Sequence, residues 1–299
     1  MSASKDLNQQ IFNEVASALS EKLGSEITIK SAQLLGGGCI HHASKIATSA
    51  GPFFLKWNAA GVPDIFLREA EGLEELKKAA SAEIKIPEVF AAKMIDETPG
   101  LLVLEYLEPG RQINDDEKLG RGLAAIHKVS SANFGFVNDN YCGATKQNNH
   151  WKPDWITFFA ENRLGWLLKL IKEKRFLAAS EQQLFEQLLN KLPLIISANS
   201  APSLIHGDLW SGNYLYSEKG PALIDPAVSY SDREMEFGMI TLFGGFSQRF
   251  FDAYNEIFPL PGGWKERNKL YQLYHILNHY YLFGGSYLQQ AVQIARQYL

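Results

Sequence analysis

The stretch that most narrows the folds open to this chain is His206-Gly207-Asp208-Leu209-Trp210-Ser211-Gly212-Asn213, followed shortly by Leu223-Ile224-Asp225-Pro226. Asp208 stands five residues before Asn213, and Asp225 follows after room for a short hairpin. Those intervals suit a base, one metal ligand and a second metal ligand. Apolar segments on both sides predict a loop-hairpin unit held between buried elements. Gly, Asp, Ser and Asn also build plain turns, but three required positions match here together. Three oxygen-bearing side chains on one such unit can hold a substrate hydroxyl and magnesium around a phosphoryl group.

Periodicity on either side predicts two different halves. Upstream, helical spacing runs over Leu7–Leu23, with Ile11, Val15, Ala18 and Leu19 on one face and Gly24 as a stop. Strands are expected at 27–30, 43–47, 53–57, 87–94 and 101–105, with a turn at Glu97-Thr98-Pro99-Gly100. A helix over Asp64–Ala80 interrupts them. That order suits a small sheet with one packed helix. Composition changes at Glu108-Pro109-Gly110, which puts a boundary between residues 1–107 and 108–299. Beyond it, helices are expected at about 115–128, 154–174, 180–192, 233–247 and 264–283, so the fold class is α+β.

Bulk properties exclude several functions. The 299 residues carry a net charge of −4, with 46% apolar and 21% charged residues. Nothing in that balance favours nucleic acid or an anionic membrane as partner. No apolar run approaches the roughly 20 residues of a membrane span, and the N-terminus lacks the apolar core of a signal peptide. The two cysteines, Cys39 and Cys142, form neither a metal-ligand cluster nor a disulfide framework by spacing. A reducing cytoplasm is the expected compartment, and the chain is expected to be a monomer or homodimer.

Other residues gain meaning from their order around the central string. Lys56 lies in the apolar strand Phe53-Phe54-Leu55-Lys56-Trp57, where an ammonium must reach water or an anion. Gly36-Gly37-Gly38 precedes it and a helix with Glu69, Glu71 and Glu74 follows. That is the order of a phosphate loop, a phosphate-binding Lys and the Glu that positions it. Small residues let backbone approach phosphates closely. Cys39 sits at the tip of this loop, where a phosphate-attracting environment would lower a thiol pKa and make it redox-sensitive. His41 and His42 read as hairpin residues and His127 as structural. Glu105, Tyr106 and Leu107 close the last strand, where a hinge would offer backbone groups to adenine. Trp210 is an aromatic inside the loop and is expected to wall the acceptor pocket.

With these residues in view, the chain resembles the fructosamine kinase (ketosamine-3-kinase) family of the protein-kinase-like and aminoglycoside-phosphotransferase-like group. The resemblance runs nearly end to end. It includes Gly36 to Ile40, Phe54-Leu55-Lys56, Glu69 to Leu73, Leu123 to His127, Phe134-Gly135-Phe136, Gln147-Asn148-Asn149 and Trp155 to Arg163. It continues through the 206–213 string, Asp225-Pro226-Ala227, Phe243 to Phe246 and Tyr271 to His279. It implies a two-lobed kinase-like fold, ATP and magnesium, with Asp208 as base, Asn213 and Asp225 as magnesium ligands, and Lys56 with Glu69 on the phosphates. It implies phosphorylation of the 3-hydroxyl of a ketosamine, free or on a glycated protein, after which elimination restores the amine. The same resemblance assigns Gln147 and Asn149, with Trp210, to the substrate pocket. Two positions depart from the family pattern. Glu236 stands where Asp is usual, and the longer carboxylate is expected to keep a structural hydrogen bond. His41 stands where Asn is frequent. The rival readings are another kinase of the same fold, acting on an aminoglycoside, choline or homoserine, and a catalytically silent nucleotide-binding module. Loss of Lys56, Asp208 or Asp225 would have marked the silent module, and all three are present.

Overall fold

The computed structural model describes residues 2–36, 42–110, 115–196 and 199–299. Helix α1 (Ser2–Leu23) leads into a five-stranded antiparallel sheet of β1 (Ile29–Leu34), β2 (His42–Thr48), β3 (Gly51–Asn58), β4 (Val89–Ile95) and β5 (Thr98–Glu105), in the order β1-β2-β3-β5-β4. Helix α2 (Ile65–Ala79) lies between β3 and β4 in sequence. Side chains alternate across a strand, and β5 shows what this does when both faces are covered. Leu101 and Val103 pack with Ile11, Val15 and Leu19 of α1, whereas Leu102 and Leu104 pack with Phe66, Leu73 and Leu76 of α2. A four-residue leucine-rich run is therefore buried on both sides. The same parity sends Leu55 of β3 into the α1 cluster and turns Lys56 toward α2.

The β4–β5 turn is Asp96-Glu97, earlier than the Glu97-Thr98-Pro99-Gly100 stretch expected for it. Asp96 and Glu97 both adopt positive φ, 46° and 59°, the geometry of a tight two-residue hairpin. Gly100, at φ 67°, is instead an irregularity in β5, where an added Cβ would meet the Lys93 carbonyl oxygen at 2.1 Å.

The second lobe is mostly helical. It contains α3 (Asp116–His127), a hairpin of β6 (Asn140–Cys142) and β7 (Thr145–Gln147), and α4 (Trp155–Thr157), which runs through a π-helical stretch, Phe158–Gly165, into α5 (Trp166–Lys174). Helix α6 (Ala179–Ile195) precedes two small ribbons, β8 (Ser203–Ile205) with β11 (Ser229–Ser231), and β9 (Tyr214–Ser217) with β10 (Gly220–Leu223). Helices α7 (Glu234–Phe243), α8 (Gln248–Ile257), α9 (Trp264–Phe283) and α10 (Tyr287–Gln297) complete it. The helix expected over 233–247 stops at Phe243, because Gly244 and Gly245 take φ of 71° and 94°. The β6–β7 hairpin, α8 and α10 were not foreseen. Among the described residues, no helix is long and apolar enough to cross a membrane.

Two sets of backbone bonds tie the β9–β10 hairpin to the sheet side of the molecule. Gly110 N donates to Tyr216 O at 2.9 Å and Glu218 N to Glu108 O at 3.0 Å. On the other edge, Lys85 N donates to Pro221 O and Leu223 N to Lys85 O. The apolar cluster around Phe66, Leu102, Leu123, Leu204, Leu209 and Leu223 then runs without a break from α2 to the loop that carries Asp208.

Candidate active site

The loop after β8 is shaped by its backbone. Gly207 adopts φ 85°, and a Cβ there would lie 2.1 Å from the Ala227 carbonyl oxygen. Ala227 N donates to His206 O at 2.8 Å, and His206 Nε2 lies 2.8 Å from Ile224 O. The strings at 206–213 and 224–227 are thus laced into one unit. Below it, Glu236 of α7 accepts backbone N–H groups from His206 at 2.5 Å and Gly207 at 3.1 Å. The longer side chain does keep a structural hydrogen bond to the loop. Burial alone would raise the Glu236 carboxyl, but His127, His206 and the His206 amide outweigh it and hold it below the usual carboxylate range.

Asp208 is half-buried. Asn213 Nδ2 donates to its backbone oxygen at 2.8 Å and to its carboxylate at 3.4 Å. With the amide nitrogen used this way, Asn213 has its Oδ1 left for a cation. Burial, then the charges of Asp225 and Glu236, pushes the Asp208 carboxyl up to about 8, against hydrogen bonds from Cys142 and Asn213. A carboxylate with raised proton affinity takes a proton more readily. Asp225 lies at the end of the hairpin with φ 56°, a conformation that costs a non-Gly residue about 1–3 kcal/mol.

Lys56 joins the two lobes. Its Nζ lies 2.8 Å from Glu69 Oε1 and 2.5 Å from Asp225 Oδ1. Burial would lower this ammonium, yet the two carboxylates outweigh it and hold Lys56 above the ordinary lysine range. Glu69 is itself pushed up by burial, against the pull of Lys56. Glu71 bonds Arg68 and Asn138 instead, away from Lys56. Helix α2 approaches the 225–228 segment closely, since a Cβ on Gly72 would lie 3.2 Å from both Pro226 and Val228 side-chain atoms.

The remaining expected residues are distributed as follows. Gly36 follows β1 at the loop end of the β1–β2 hairpin, where Leu35 N bonds Ala43 O. Gly37, Gly38, Cys39 and His41 lie outside the described residues. Glu105 closes β5 and accepts Lys219 at 2.5 Å, Tyr106 carries Lys45 over its ring at 4.1 Å, and Leu107 is buried. Trp210 is 39% exposed and meets Phe243 edge-on at 6.1 Å. His127 is buried between Tyr254 and Glu236, as a structural histidine should be.

Gln147 and Asn149 are buried, and the side chain of Asn149 is fully hydrogen-bonded. Its Nδ2 bonds Asn138 O and Asn140 Oδ1, and its Oδ1 accepts Arg163 at 2.8 Å. Gln147 Nε2 bonds Tyr274 Oη at 2.7 Å. Arg163, from the π-helical stretch, is itself fully buried over the Phe158 ring. Spacing does not single out Arg163, Cys142 or His275, although Cys142 and His275 lie beside Asp208 and Arg163 bonds Asn149. A π-helical stretch carrying buried polar residues is a recurrent mark of functional sites, but it has no clear sequence signature.

A small antiparallel sheet with one helix, a mainly helical second lobe and this loop between them define a phosphotransferase of the kinase-like class. The fold is shared with a solved aminoglycoside phosphotransferase in ternary complex with AMP-PNP and hygromycin B, at TM-score 0.63 and 16% identity over 94% of this chain and 98% of that one. The chain belongs to the fructosamine kinase family, whose model matches residues 11–299. It is 39% identical to the protein-ribulosamine 3-kinase, chloroplastic, of Arabidopsis thaliana over 89% of this chain and 81% of that one. It is 38% identical to a Synechocystis protein named "Probable ketoamine kinase", over 96% and 97% of the two chains. A solved structure from Thermobifida fusca carrying a fructosamine-3-kinase assignment superposes at TM-score 0.84, with 31% identity over 96% and 98% of the two chains.

Proposed function

We propose that this protein transfers a phosphoryl group from ATP to the 3-hydroxyl of a ketosamine, a ribulosamine or fructosamine adduct of lysine that is free or part of a protein. Family membership supports the substrate class. The observation that carries the chemistry is the pairing of Asp208 with Asn213, beside the Lys56–Asp225 contact. Asp208 accepts the hydrogen bond of the attacking hydroxyl and takes its proton as the new O–P bond forms. Lys56, steadied by Glu69, holds phosphate oxygens, and Glu105, Tyr106 and Leu107 offer backbone groups to the adenine. Gly36 to Gly38 form the phosphate loop, and Trp210 walls the acceptor pocket. The division of labour follows residues 1–107 and 108–299, the first lobe holding nucleotide and the second holding acceptor.

Asn213 and Asp225 form an all-oxygen donor pair that fits a hard divalent cation such as magnesium. Asp225 Oδ1 already holds a cation, the Lys56 ammonium at 2.5 Å. Magnesium there supplies neutralisation of charge on the transferring group. The 3-phosphorylated product is unstable, and its elimination frees the amine.

Mass spectrometry of ribulose-lysine incubated with the protein, ATP and magnesium tests the reading. The expected outcome is a gain of one phosphate, then release of free lysine. Asp208→Ala should lower turnover about 10³-fold while ATP still binds. Unmodified ribulosamine and fructosamine, with phosphate transferred to another alcohol, would overturn it.

A further inference from the structure

Beside the Asp208 carboxylate lie two potential ligands that phosphoryl transfer does not use, Cys142 and His275. Cys142 Sγ, a carboxylate oxygen of Asp208 and a ring nitrogen of His275 all lie within 4.8 Å of one another. They come from three separate elements, the end of β6, the loop after β8, and α9. Cys142 and His275 are each 2% exposed or less, and Asp208 is half-buried. Two further observations mark the group as more than packing. His275 Nδ1 is buried without a hydrogen-bond partner, and so is Asn278 Oδ1, whose own amide nitrogen is 3.4 Å from Cys142 Sγ. An unpaired buried polar atom costs about 1–3 kcal/mol, so unpaired atoms on His275 and on the Asn278 that touches Cys142 are consistent with a ligand.

We propose that this cluster is a site for zinc or a similarly soft divalent cation, which captures Asp208 and thereby silences the enzyme reversibly. One thiolate, one imidazole and one carboxylate are the donor types zinc selects, with a fourth tetrahedral position left open. Magnesium, which prefers oxygen, stays with Asn213 and Asp225. Ligand atoms within 4.8 Å need to close by only about 1 Å to meet zinc bonds of about 2.0–2.3 Å. On binding, the metal replaces the Cys142 thiol proton, which leaves to solvent; the His275 ring and Asp208 carboxylate bind as lone-pair donors, and no oxidant is involved. Zinc and ketosamine would therefore exclude one another at Asp208. The inhibition rests on the reading of Asp208 as base, but the metal site does not.

Cobalt titration of the full-length protein separates the two. One equivalent of cobalt(II) should bring up the near-ultraviolet thiolate-to-cobalt charge-transfer band, which oxygen ligands at Asn213 and Asp225 do not produce. The band should persist in Cys39→Ser and vanish in Cys142→Ser. In kinase assays with magnesium and ATP, zinc should inhibit, chelator should restore activity, and His275→Gln should raise the half-inhibitory zinc concentration at least about tenfold. No band in the wild type, or a band kept in Cys142→Ser, overturns the site. A Cys142-dependent band without inhibition supports the site and counts against Asp208 as the base.

Discussion

At the scale of single residues, the site is governed by competition for one ammonium. Lys56 touches Glu69 and Asp225 at once, at 2.8 and 2.5 Å. On the proposed reading, in which Asp225 holds magnesium, the cation needs Asp225 free, and Glu69 is the group that would keep Lys56. Glu69→Gln keeps the shape but removes the charge, leaving Lys56 drawn to Asp225 alone. The expected result is a magnesium requirement raised about tenfold at fixed ATP, roughly the 1.4 kcal/mol of one weakened charge-assisted bond. Magnesium dependence identical to wild type would refute this division of the two carboxylates. Glu69 could be preferred over Glu71 and Glu74 only by resemblance, because all three share one helix. The choice depends on which turn of α2 meets β3, and packing decides that.

At the scale of elements, one backbone crossing holds the 206–213 loop in place. Gly207 has φ 85°, with the Ala227 oxygen where a side chain would begin, and its N–H is bound by Glu236. Gly207→Ala should destabilise the protein by about 3 kcal/mol through strain and overlap, with activity lost before the fold. Denaturant unfolding checks the first and turnover the second; wild-type values in both would show the crossing to be slack. The loop and the hairpin were legible in the string itself, since turn residues and ligands coincide at fixed spacing. The π-helical stretch was not, because it lies where Asn162 and Arg163 bond distant partners, His150, Asn148 and Asn149. The break after Phe243 was also missed, although Gly244-Gly245 signalled it. Helical periodicity there continues past the glycines into a separate helix, α8.

At the scale of the whole molecule, stability depends on histidines that are buried neutral. Burial holds His127 below its ordinary 6.5, against Glu236 and Asp232, while Arg233 pushes the same way as burial. Tyr254 bonds its Nδ1 at 2.8 Å and Glu236 lies 3.5 Å from its Nε2; His206 is the other titrating neighbour of Glu236. The folded chain keeps His127 uncharged where the unfolded chain protonates it, so stability is lost as pH falls below about 6.5. Glu236 acts in a separate window. Its depressed value makes its contribution vanish only as pH drops below about 4.5. The unfolding free energy should therefore fall between about pH 7.5 and about pH 5.5, and less steeply in His127→Gln. Equal slopes in variant and wild type would exclude His127 as a source. By itself, the sequence determined the α+β class and the family, and it singled out the 206–226 unit as the candidate for the chemistry, because those depend on residue type at short, fixed intervals. Tertiary structure decided that Lys56 meets Asp225 across 169 positions. It also decided that the side chain of Asn149 is fully hydrogen-bonded and that Cys142 and His275 converge on Asp208. Those meetings follow from burial of the shared core between the lobes, and no local spacing in the chain encodes which distant side chains that burial brings together.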